Sequence, residues 1–392
     1  MTAEAATALD QERLEQERLI LDSVERWLER DVRPHVIELE HGDVYPAEIV
    51  EQMKEMGLFG ATIDEAYGGL GLRPSVYAKI IERISSVWMS LSGIINSHLI
   101  MSFIVQRMGT EAQRQSFLPR FATGELRGGL ALTEPDCGTD LQAIRTTARR
   151  EGEGYLVNGT KTWISNGIQG SCFALLVKTD PKAEPRHKGM SMLLAEKGEG
   201  FRVSRKLEKL GYKGIDSAEL IFEDYEVPAD RLIGGVEGQG MASAISGLEL
   251  GRVNVAARAV GIAQAALDES VKYAQQRSTF GKPIHQHQAI ALKLGDMATR
   301  VEAARLLTQQ AANALDRGER CDYEAGMAKL FASEAAVENA MEAMRIHGGY
   351  GYSKEFVVER LYRDAPLLCI GEGTNEIQRL VIAKRLIERS PI

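Results

Sequence analysis

Residues 369–378 read Cys-Ile-Gly-Glu-Gly-Thr-Asn-Glu-Ile-Gln, so that one carboxylate, Glu372, stands between two glycines directly before a helix-start signal. Asn375 is predicted to cap this helix, with Gln378 three residues later as in a capping box. Because glycine allows a backbone to approach a ligand closely, Glu372 is a candidate for a carboxylate presented to a ligand on an unhindered turn. An ordinary solvated glutamate in a loop fits the same residues equally well, so the rest of the chain must distinguish the two.

The composition is typical of a globular protein with an acidic surface. The chain has 392 residues, of which 44% are hydrophobic and 26% charged, and its net charge is −8. This charge argues against a nucleic-acid surface, which needs clustered Lys and Arg. No apolar run is expected to be long enough to span a membrane, and the polar N-terminal stretch is not typical of a signal or transit peptide, so a cytoplasmic location is expected. The cysteines and histidines form no CxxC or HExxH pattern, and no metal site is expected.

Secondary-structure signals change twice along the chain. Apolar residues at helical spacing and long stretches without proline predict helices at both ends. Turn residues and β-formers dominate the middle. We therefore expect an α+β fold with an N-terminal helical domain (residues 1–127), a middle β-domain (128–240) and a C-terminal helical bundle domain (241–392).

Two local features of this layout carry specific expectations. The apolar run from Ser75 to Met108 is too long for a strand and predicts a pair of buried helices. The polar residues within it are either satisfied groups of the core or the wall of a ligand cavity; they are Ser90, Ser92, Asn96, Ser97 and His98. In the middle region, Asn158-Gly159 lies between β-formers and predicts a hairpin with a type I′ turn.

Four stretches have the residue types that hold a large, flat or charged ligand. The hydroxyls and turn glycine of residues 130–140 suit a pyrophosphate or a ring edge, and Trp163 could stack on a ring system. Arg277 and Thr279 could take a phosphate, and the glycines of residues 345–352 allow close backbone approach. Each stretch alone is at least as consistent with an ordinary feature: a β-turn, a core tryptophan, an arginine at a helix end and a glycine cap. The chain has no GxGxxG, P-loop or GxSxG motif.

The order and spacing of these stretches are far more specific than any one of them. Together, LTEPDCGTD, KTWISNG, LEKLGYKG, FEDYEVP, RSTFGKPI, RIHGGYGY and GEGTNEIQRLVI resemble the motifs of the acyl-CoA dehydrogenase family over nearly the whole chain. The resemblance implies an N-terminal helical domain, a middle β-domain and a C-terminal four-helix bundle. It also implies a homotetramer that binds FAD partly across a subunit interface.

The resemblance carries the family's cofactor and substrate contacts onto residues of this chain. It implies that the flavin ring is held by Leu130, Leu132, Thr133, Gly138, Thr139, Trp163, Ile164 and Ser165. It implies that the rest of FAD is held by Arg277, Thr279, Phe280, Gln288, Arg345, Gly348, Gly349, Gly373, Thr374 and Glu376, partly from a neighbouring subunit. It implies that the acyl-CoA contacts Thr139, the segment from Glu249 to Arg252, Gly371 and Glu372.

The resemblance also implies a reaction. A carboxylate removes the proton α to the thioester carbonyl, and a hydride leaves the β carbon for the flavin, which gives a trans-2-enoyl-CoA. Members of the family place this base at one of two positions, and in this chain the second of them is Gly251. Glu372 occupies the first position and is the predicted base, whereas Glu249 is not. The N-terminus of the helix that follows Glu372 favours the anion of this residue, whereas desolvation by bound substrate favours the acid. The direction of the pKa shift of Glu372 therefore stays open.

Departures from the family pattern bear on substrate and cofactor. Residue 371 is Gly where many members have Tyr, which predicts tolerance of branched or bulky acyl groups. Arg345 replaces a frequent Gln, which puts that FAD contact in doubt. Cys137 is more consistent with a buried, inert thiol than with a redox group.

Three functions fit the motifs. The first is a dehydrogenase that passes electrons to an electron-transfer flavoprotein. The second is an acyl-CoA oxidase or flavin-dependent monooxygenase on the same fold. The third, of a different class, is a non-catalytic helical binding protein; Glu372 and the retained FAD motifs argue against it.

Overall fold

The N-terminal part of the chain is helical, as its apolar spacing predicts. This computed structural model describes residues 3–391, with side chains from Leu14 onward. The helices are α1 (Ala3–Trp27), α2 (Val36–His41), α3 (Ala47–Glu55), α4 (Pro74–Met108) and α5 (Glu111–Ala122).

Helix α4 is one element with a break at Trp88, where the backbone leaves helical geometry (φ −157°, ψ 104°). The predicted pair of buried helices therefore exists as two segments of a single helix. By length and composition α4 could cross a membrane, so the expectation that no apolar run is long enough is wrong. Because 89% of its most apolar part is buried inside the protein, α4 is a core helix.

Most polar side chains of α4 are hydrogen-bonded within the core. The hydroxyl of Ser90 donates to Lys213 O at 2.6 Å, and Nε2 of His98 lies 3.0 Å from Phe121 O. Burial lowers the pKa of His98 to about 4, so that its ring is neutral at physiological pH. The hydroxyl of Ser92 is also bonded inside the core. Ser90 and Ser92 are satisfied core polarity rather than a cavity wall, and His98 is likewise a core residue, although its Nδ1 has no hydrogen-bond partner among the described residues.

The middle region is a mixed sheet. Its strands are β1 (Gly128–Ala131), β2 (Thr147–Glu151), β3 (Gly154–Ser165), β4 (Cys172–Lys178), β5 (Met190–Glu196), β6 (Phe201–Lys206) and β7 (Ser217–Pro228). Strands β1 and β2 pair in parallel with β4, which pairs antiparallel with β5. Strand β3 pairs antiparallel with β2 and β7, and β7 with β6. The sheet has a hydrophobic core of its own, separate from the core of the helices.

The predicted hairpin turn at Asn158-Gly159 is wrong. Both residues lie inside β3, which has a bulge at this point and continues to Ser165. The turn between β2 and β3 lies at Gly152 instead, with φ +56°. A Cβ on Gly159 would lie 2.4 Å from Thr146 Oγ1, so close packing of the chain explains this glycine.

The C-terminal region is a bundle of long helices, as the absence of proline predicts. Its elements are α6 (Gly240–Gln276), the short strands β8 (Ser278–Thr279) and β9 (Lys282–Pro283), α7 (Gln288–Asp316), α8 (Asp322–His347), α9 (Val358–Ile370) and α10 (Asn375–Arg389). Helices α6, α7 and α8 pack on one another, and α9 and α10 pack on α8. The expected α+β fold of helices, sheet and helices is confirmed, whereas the domain boundaries at 127/128 and 240/241 stay a prediction.

The loop between β6 and β7 (residues 207–216) joins the sheet to both helical regions. A Cβ on Gly214 would lie 2.3 Å from the Trp88 ring, so the loop passes directly over the break in α4. On the other side, the Tyr212 amide donates to Asp364 Oδ1 of α9 at 2.6 Å. This loop therefore fixes Tyr212 between α4 and α9, close to the site described below.

Candidate active site

The Glu372 loop has a backbone conformation that its neighbours hold in place. Glu372 has φ +57°, which is uncommon for a residue other than glycine, and Gly373 follows with φ +87°. The side chain of Gln378, fully buried, donates to Gly373 O at 3.0 Å and to Glu372 O at 3.4 Å. The N-cap of α10 is Thr374, whose side chain accepts from Ile377 N, and not Asn375 as predicted. Strain of this kind persists where the surroundings over-determine it.

A buried lysine of α8 holds the Glu372 loop by hydrogen bonds. Lys329 of α8 donates to Asn375 Oδ1 at 2.8 Å and to Cys369 O at 3.1 Å, so it bonds to the loop on both sides of Glu372. The Ser333 hydroxyl donates to the same Asn375 oxygen at 3.1 Å. Asn375 is therefore a buried anchor rather than a cap. Burial lowers the pKa of Lys329 to about 8.

The carboxylate of Glu372 points at the helix position where the family's alternative base would stand. A Cβ on Gly251 of α6 would lie 2.5 Å from Glu372 Oε2, so only glycine leaves room for this carboxylate. Oε2 is buried and has no hydrogen-bond partner among the described residues. Burial raises the pKa of Glu372, although the positive charges of Arg258, Arg252 and Lys329 act in the opposite direction. The direction that the sequence left open is therefore upward.

Two residues near Glu372, Arg258 and Tyr212, are not indicated by the sequence. Arg258 of α6 is 5% exposed, and its Nη1 donates to the hydroxyl of Tyr212 at 3.2 Å. Tyr212 has φ +57°, and burial raises its pKa. The residues are 46 positions apart in the chain, and only the docking of the 207–216 loop brings them together. The one signal for Arg258 in the sequence is an arginine in an Ala-rich helix, since arginine is almost never fully buried unless it is paired.

The segment predicted to hold the flavin ring is fixed by a buried ion pair. Lys161 of β3, fully buried, donates to Glu134 Oε1 at 2.8 Å and to Leu132 O at 2.9 Å. Although burial would raise the pKa of Glu134, the Lys161 charge and hydrogen bonds hold it below its ordinary value. Neither residue was foreseen. The pair ties the 130–139 segment to the strand that carries Trp163.

Trp163 is exposed rather than a core residue. It lies at a bulge in β3 with φ +60°, and 58% of its surface is accessible. The next turn is bound to the helices, since Asn166 Nδ2 donates to Ile94 O of α4 at 2.9 Å. A Cβ on Gly129 of β1 would lie 3.1 Å from the Ser97 side chain, so this edge of the sheet packs closely on α4. The exposed indole is thus held on a rigid support.

A cavity of about 720 Å³ brings together five of the predicted residues of the C-terminal region. Its lining includes Arg277, Thr279, Phe280, Gly348 and Gly349. The structure leaves open space where a Cβ would lie on either of these glycines, so a ligand can approach the backbone. The same cavity contains aromatic rings that the sequence did not indicate: Tyr273, His287, His347 and Tyr350.

The remaining predicted residues lie in several places. Arg345 does not line the cavity; its side chain is mostly exposed and pairs with Glu342 at 2.5 Å. Gln288 is the first residue of α7, directly after the cavity residue His287. Leu132 and Ile164 are buried, and Leu130, Thr133, Ser165 and Thr374 are half-buried; Gly138, Thr139 and Glu376 are exposed. Glu249 precedes Gly251 by two residues, about 200° around the helix, and so faces away from Glu372. Cys137 is buried, which raises the pKa of its thiol and fits an inert group.

The family is shown by comparison with known proteins. Models of the acyl-CoA dehydrogenase N-terminal, middle and C-terminal domains match residues 14–125, 129–225 and 238–387. The chain therefore belongs to the acyl-CoA dehydrogenase family and is an oxidoreductase of the flavoprotein class.

Individual relatives are similar over nearly the whole chain. An acyl-CoA dehydrogenase of Bacillus subtilis (strain 168) is 42% identical over 375 residues, which are 95% of this chain and 98% of that protein. A (2S)-methylsuccinyl-CoA dehydrogenase of Cereibacter sphaeroides is 38% identical over 98% of this chain and 71% of that protein. The solved structure of butyryl-CoA dehydrogenase from Megasphaera elsdenii has a TM-score of 0.92 at 34% identity and covers 95% of this chain and 98% of its own.

The residues present fit a flavin nucleotide. The cavity offers an arginine, a hydroxyl and unobstructed glycine backbone, which are the groups that bind a pyrophosphate. Trp163 supplies an exposed aromatic face and Ser165, two residues later, a hydroxyl, and these are groups that bind a flat polar ring. The cavity includes no residue of strands β1 to β7, so the Trp163 region and the cavity are separate parts of one subunit.

Proposed function

We propose that this protein is an FAD-dependent acyl-CoA dehydrogenase in which Glu372 removes the α proton of the thioester. One observation carries the proposal: Glu372 Oε2 is buried, lacks a hydrogen-bond partner among the described residues and faces a glycine. Such an atom costs stability unless a ligand or a proton compensates it. A carboxylate whose pKa is raised toward the working pH is also a better general base.

The residues of the chain supply the proton chemistry. The substrate's α proton would pass to Glu372 Oε2, the atom for which the absence of a side chain at Gly251 leaves room. The Glu372 amide has no acceptor within the part of the chain that the structure describes, so it can donate to the thioester carbonyl as negative charge develops there. Buried Arg252 adds positive charge near the same point. The bound flavin would accept the hydride from the β carbon.

The FAD contacts, the assembly and the electron acceptor are further parts of this proposal. We expect the Trp163 region of one subunit and the 720 Å³ cavity of another to hold one FAD in a homotetramer. The exposure of Phe280, 97%, supports burial of this edge by a second copy. An electron-transfer flavoprotein is the expected electron acceptor. Stoichiometric peroxide during turnover would instead favour an oxidase or a monooxygenase.

The substrate proposal includes branched acyl groups. A Cβ on Gly371 would meet only Leu367 O, at 3.5 Å, so there is open space beside Glu372 where many members of the family have a tyrosine ring. The name of the Cereibacter sphaeroides relative also describes a methyl-branched thioester. We expect α-branched thioesters to be turned over at rates comparable with those of straight chains of equal length. Clear rejection of the branched set would refute this part.

A panel of acyl-CoA thioesters tests the proposed function. The purified protein should be yellow, and at least one thioester should bleach the flavin absorbance under anaerobic conditions within a single turnover. Straight, branched and carboxylated chains of matched length belong in the panel, with free CoA as the control. A colourless protein that takes up no FAD, or a flavin that no thioester reduces, would overturn the assignment in favour of a binding protein.

A further inference from the structure

Arg258 is a buried cation without an ion pair. It is 5% exposed, and no carboxylate among the described residues lies within 4.0 Å of its guanidinium. Within the described part of the chain its Nε has no hydrogen-bond partner, and its Nη1 donates to the Tyr212 hydroxyl at 3.2 Å. Arg363, by contrast, pairs with both Glu40 and Glu359. Buried charges are normally paired, so Arg258 needs an explanation.

The helix directs Arg258 toward the same space as Glu372. Arg258 follows Gly251 by seven residues, so both lie on one face of α6, about 10 Å apart along the axis. Helical side chains lean toward the N-terminus of their helix, which carries the guanidinium back toward Gly251 and Glu372. The Arg258 charge accordingly acts on the Glu372 carboxylate. The acyl chain of a substrate at Glu372 would extend along this face.

Two tyrosines complete a polar end to that space. The Tyr212 hydroxyl lies against Gly93 of α4, where a Cβ would lie 1.6 Å from it, so the absence of a side chain at Gly93 allows the contact with Arg258. The Tyr77 hydroxyl is fully buried, has no hydrogen-bond partner in the part of the chain that the structure describes, and interacts electrostatically with the Arg258 charge. Arg258 and Tyr77 thus each have a buried polar atom without a hydrogen-bond partner among the described residues, and such donors are what an anionic ligand would satisfy.

We propose that Arg258, with Tyr212 and Tyr77, binds a carboxylate at the far end of the acyl chain. The preferred substrates would then be short α,ω-dicarboxylyl-CoA thioesters. This inference rests on the proposed function, because the thioester must be held at Glu372 for its distal carboxylate to reach Arg258. A planar guanidinium suits a carboxylate because it donates two parallel hydrogen bonds. A chain ending in a methyl group would leave the buried charge unpaired, so the site would reject it.

Matched substrate pairs test the inference. Glutaryl-CoA against pentanoyl-CoA, and succinyl-CoA against butyryl-CoA, differ mainly in the terminal group. Flavin reduction by wild type should favour the carboxylated member of a pair at least 100-fold in kcat/KM. In Arg258→Gln this ratio should fall by about 100-fold or more, and Arg258→Lys should recover part of it. Flavin content and melting temperature establish that each variant is folded.

Binding without turnover gives an independent readout. In the Glu372→Gln background, which should not react, calorimetry gives the Kd of glutaryl-CoA directly. Adding Arg258→Gln should weaken glutaryl-CoA at least 30-fold and change the Kd of pentanoyl-CoA much less. Equal losses for both ligands, or a wild-type preference for the uncharged chain, would overturn the role of Arg258 while leaving the dehydrogenase intact. Absence of flavin reduction by every thioester would overturn the dehydrogenase and, with it, this inference.

Discussion

At the scale of single residues, Glu372 combines a strained backbone, a buried oxygen and a raised pKa. The sequence indicated the residue, because a carboxylate between glycines precedes a helix, and the family's alternative position is Gly251. It could not indicate the anchoring by Lys329, since 43 residues separate Lys329 from Glu372 and only the packing of α8 against α10 joins them. It misassigned the N-cap because Asn375 and Thr374 are both good capping residues and tertiary contacts decide between them.

The raised pKa of Glu372 predicts the pH dependence of flavin reduction. The base must be ionised, so the rate should fall on acidification at a pH above the ordinary carboxyl value of 4.5. Lys329→Met removes a positive charge that favours the anion, so the acidic limb should move to higher pH. Lys329→Arg, which keeps the charge, is the matched control. A limb that stays in place in Lys329→Met would show that this charge does not act on the base.

Gly251→Ala should damage the reaction through geometry alone. The added Cβ would lie 2.5 Å from Glu372 Oε2 and must displace the carboxylate. Misplacement of a catalytic group by about 1 Å costs on the order of 100-fold in rate, so flavin reduction should slow by about 10- to 100-fold with FAD retained. Gly295→Ala, on α7 with nothing within 4 Å of the new Cβ, is the control. A normal rate in Gly251→Ala would place the reacting carboxylate elsewhere.

At the scale of elements, the 207–216 loop and the break in α4 belong together. Trp88 leaves helical geometry where Gly214 passes over its ring, and the adjacent Ser90 hydroxyl binds Lys213 O. The apolar run predicted the burial of α4 but not its break, because no proline marks it. The Asn158-Gly159 turn was predicted wrongly for a related reason: local turn chemistry gave way to pairing of β3 with β7 along its length.

Gly214→Ala should loosen the sheet from the helices. The new Cβ would meet the Trp88 ring at 2.3 Å at a residue with φ +93°, so we expect a loss of about 2–4 kcal/mol in the free energy of unfolding. Gly68→Ala has a similar φ of +83° and nothing within 4 Å, so it isolates the backbone cost of about 1 kcal/mol. Thermal and denaturant unfolding measure both. Equal losses would mean that the loop does not dock on Trp88 in solution.

At the scale of the whole molecule, the α+β layout followed from the sequence, because long proline-free stretches and turn-rich stretches separate cleanly. One cavity contains Arg277, Thr279, Gly348 and Gly349. Only the resemblance to the acyl-CoA dehydrogenase family predicted that these residues hold the same ligand. Arg258 and Tyr212 could not be found in this way, since they meet only once sheet, loop and helix are assembled.

Phe280→Ser tests whether the cavity edge is shared between subunits. Phe280 is 97% exposed in the isolated chain, so its replacement should leave the stability of a lone chain almost unchanged. If a second copy covers it, sedimentation should show weakened tetramers, and the purified protein should contain less FAD. Leu14→Ser on α1, where the leucine is 58% exposed and outside the cavity, is the control. Unchanged assembly and FAD content in Phe280→Ser would contradict a shared site.

The most direct test of Glu372 as the base is anaerobic stopped-flow reduction of the flavin by a substrate thioester, in wild type and in Glu372→Gln. The glutamine keeps the shape of the side chain and cannot accept the α proton. We expect FAD content and thioester affinity to be retained and the rate of bleaching to fall by at least 1,000-fold, in keeping with the range for general-base catalysis of about 10²–10⁴. Bleaching of Glu372→Gln at the wild-type rate would contradict the assignment.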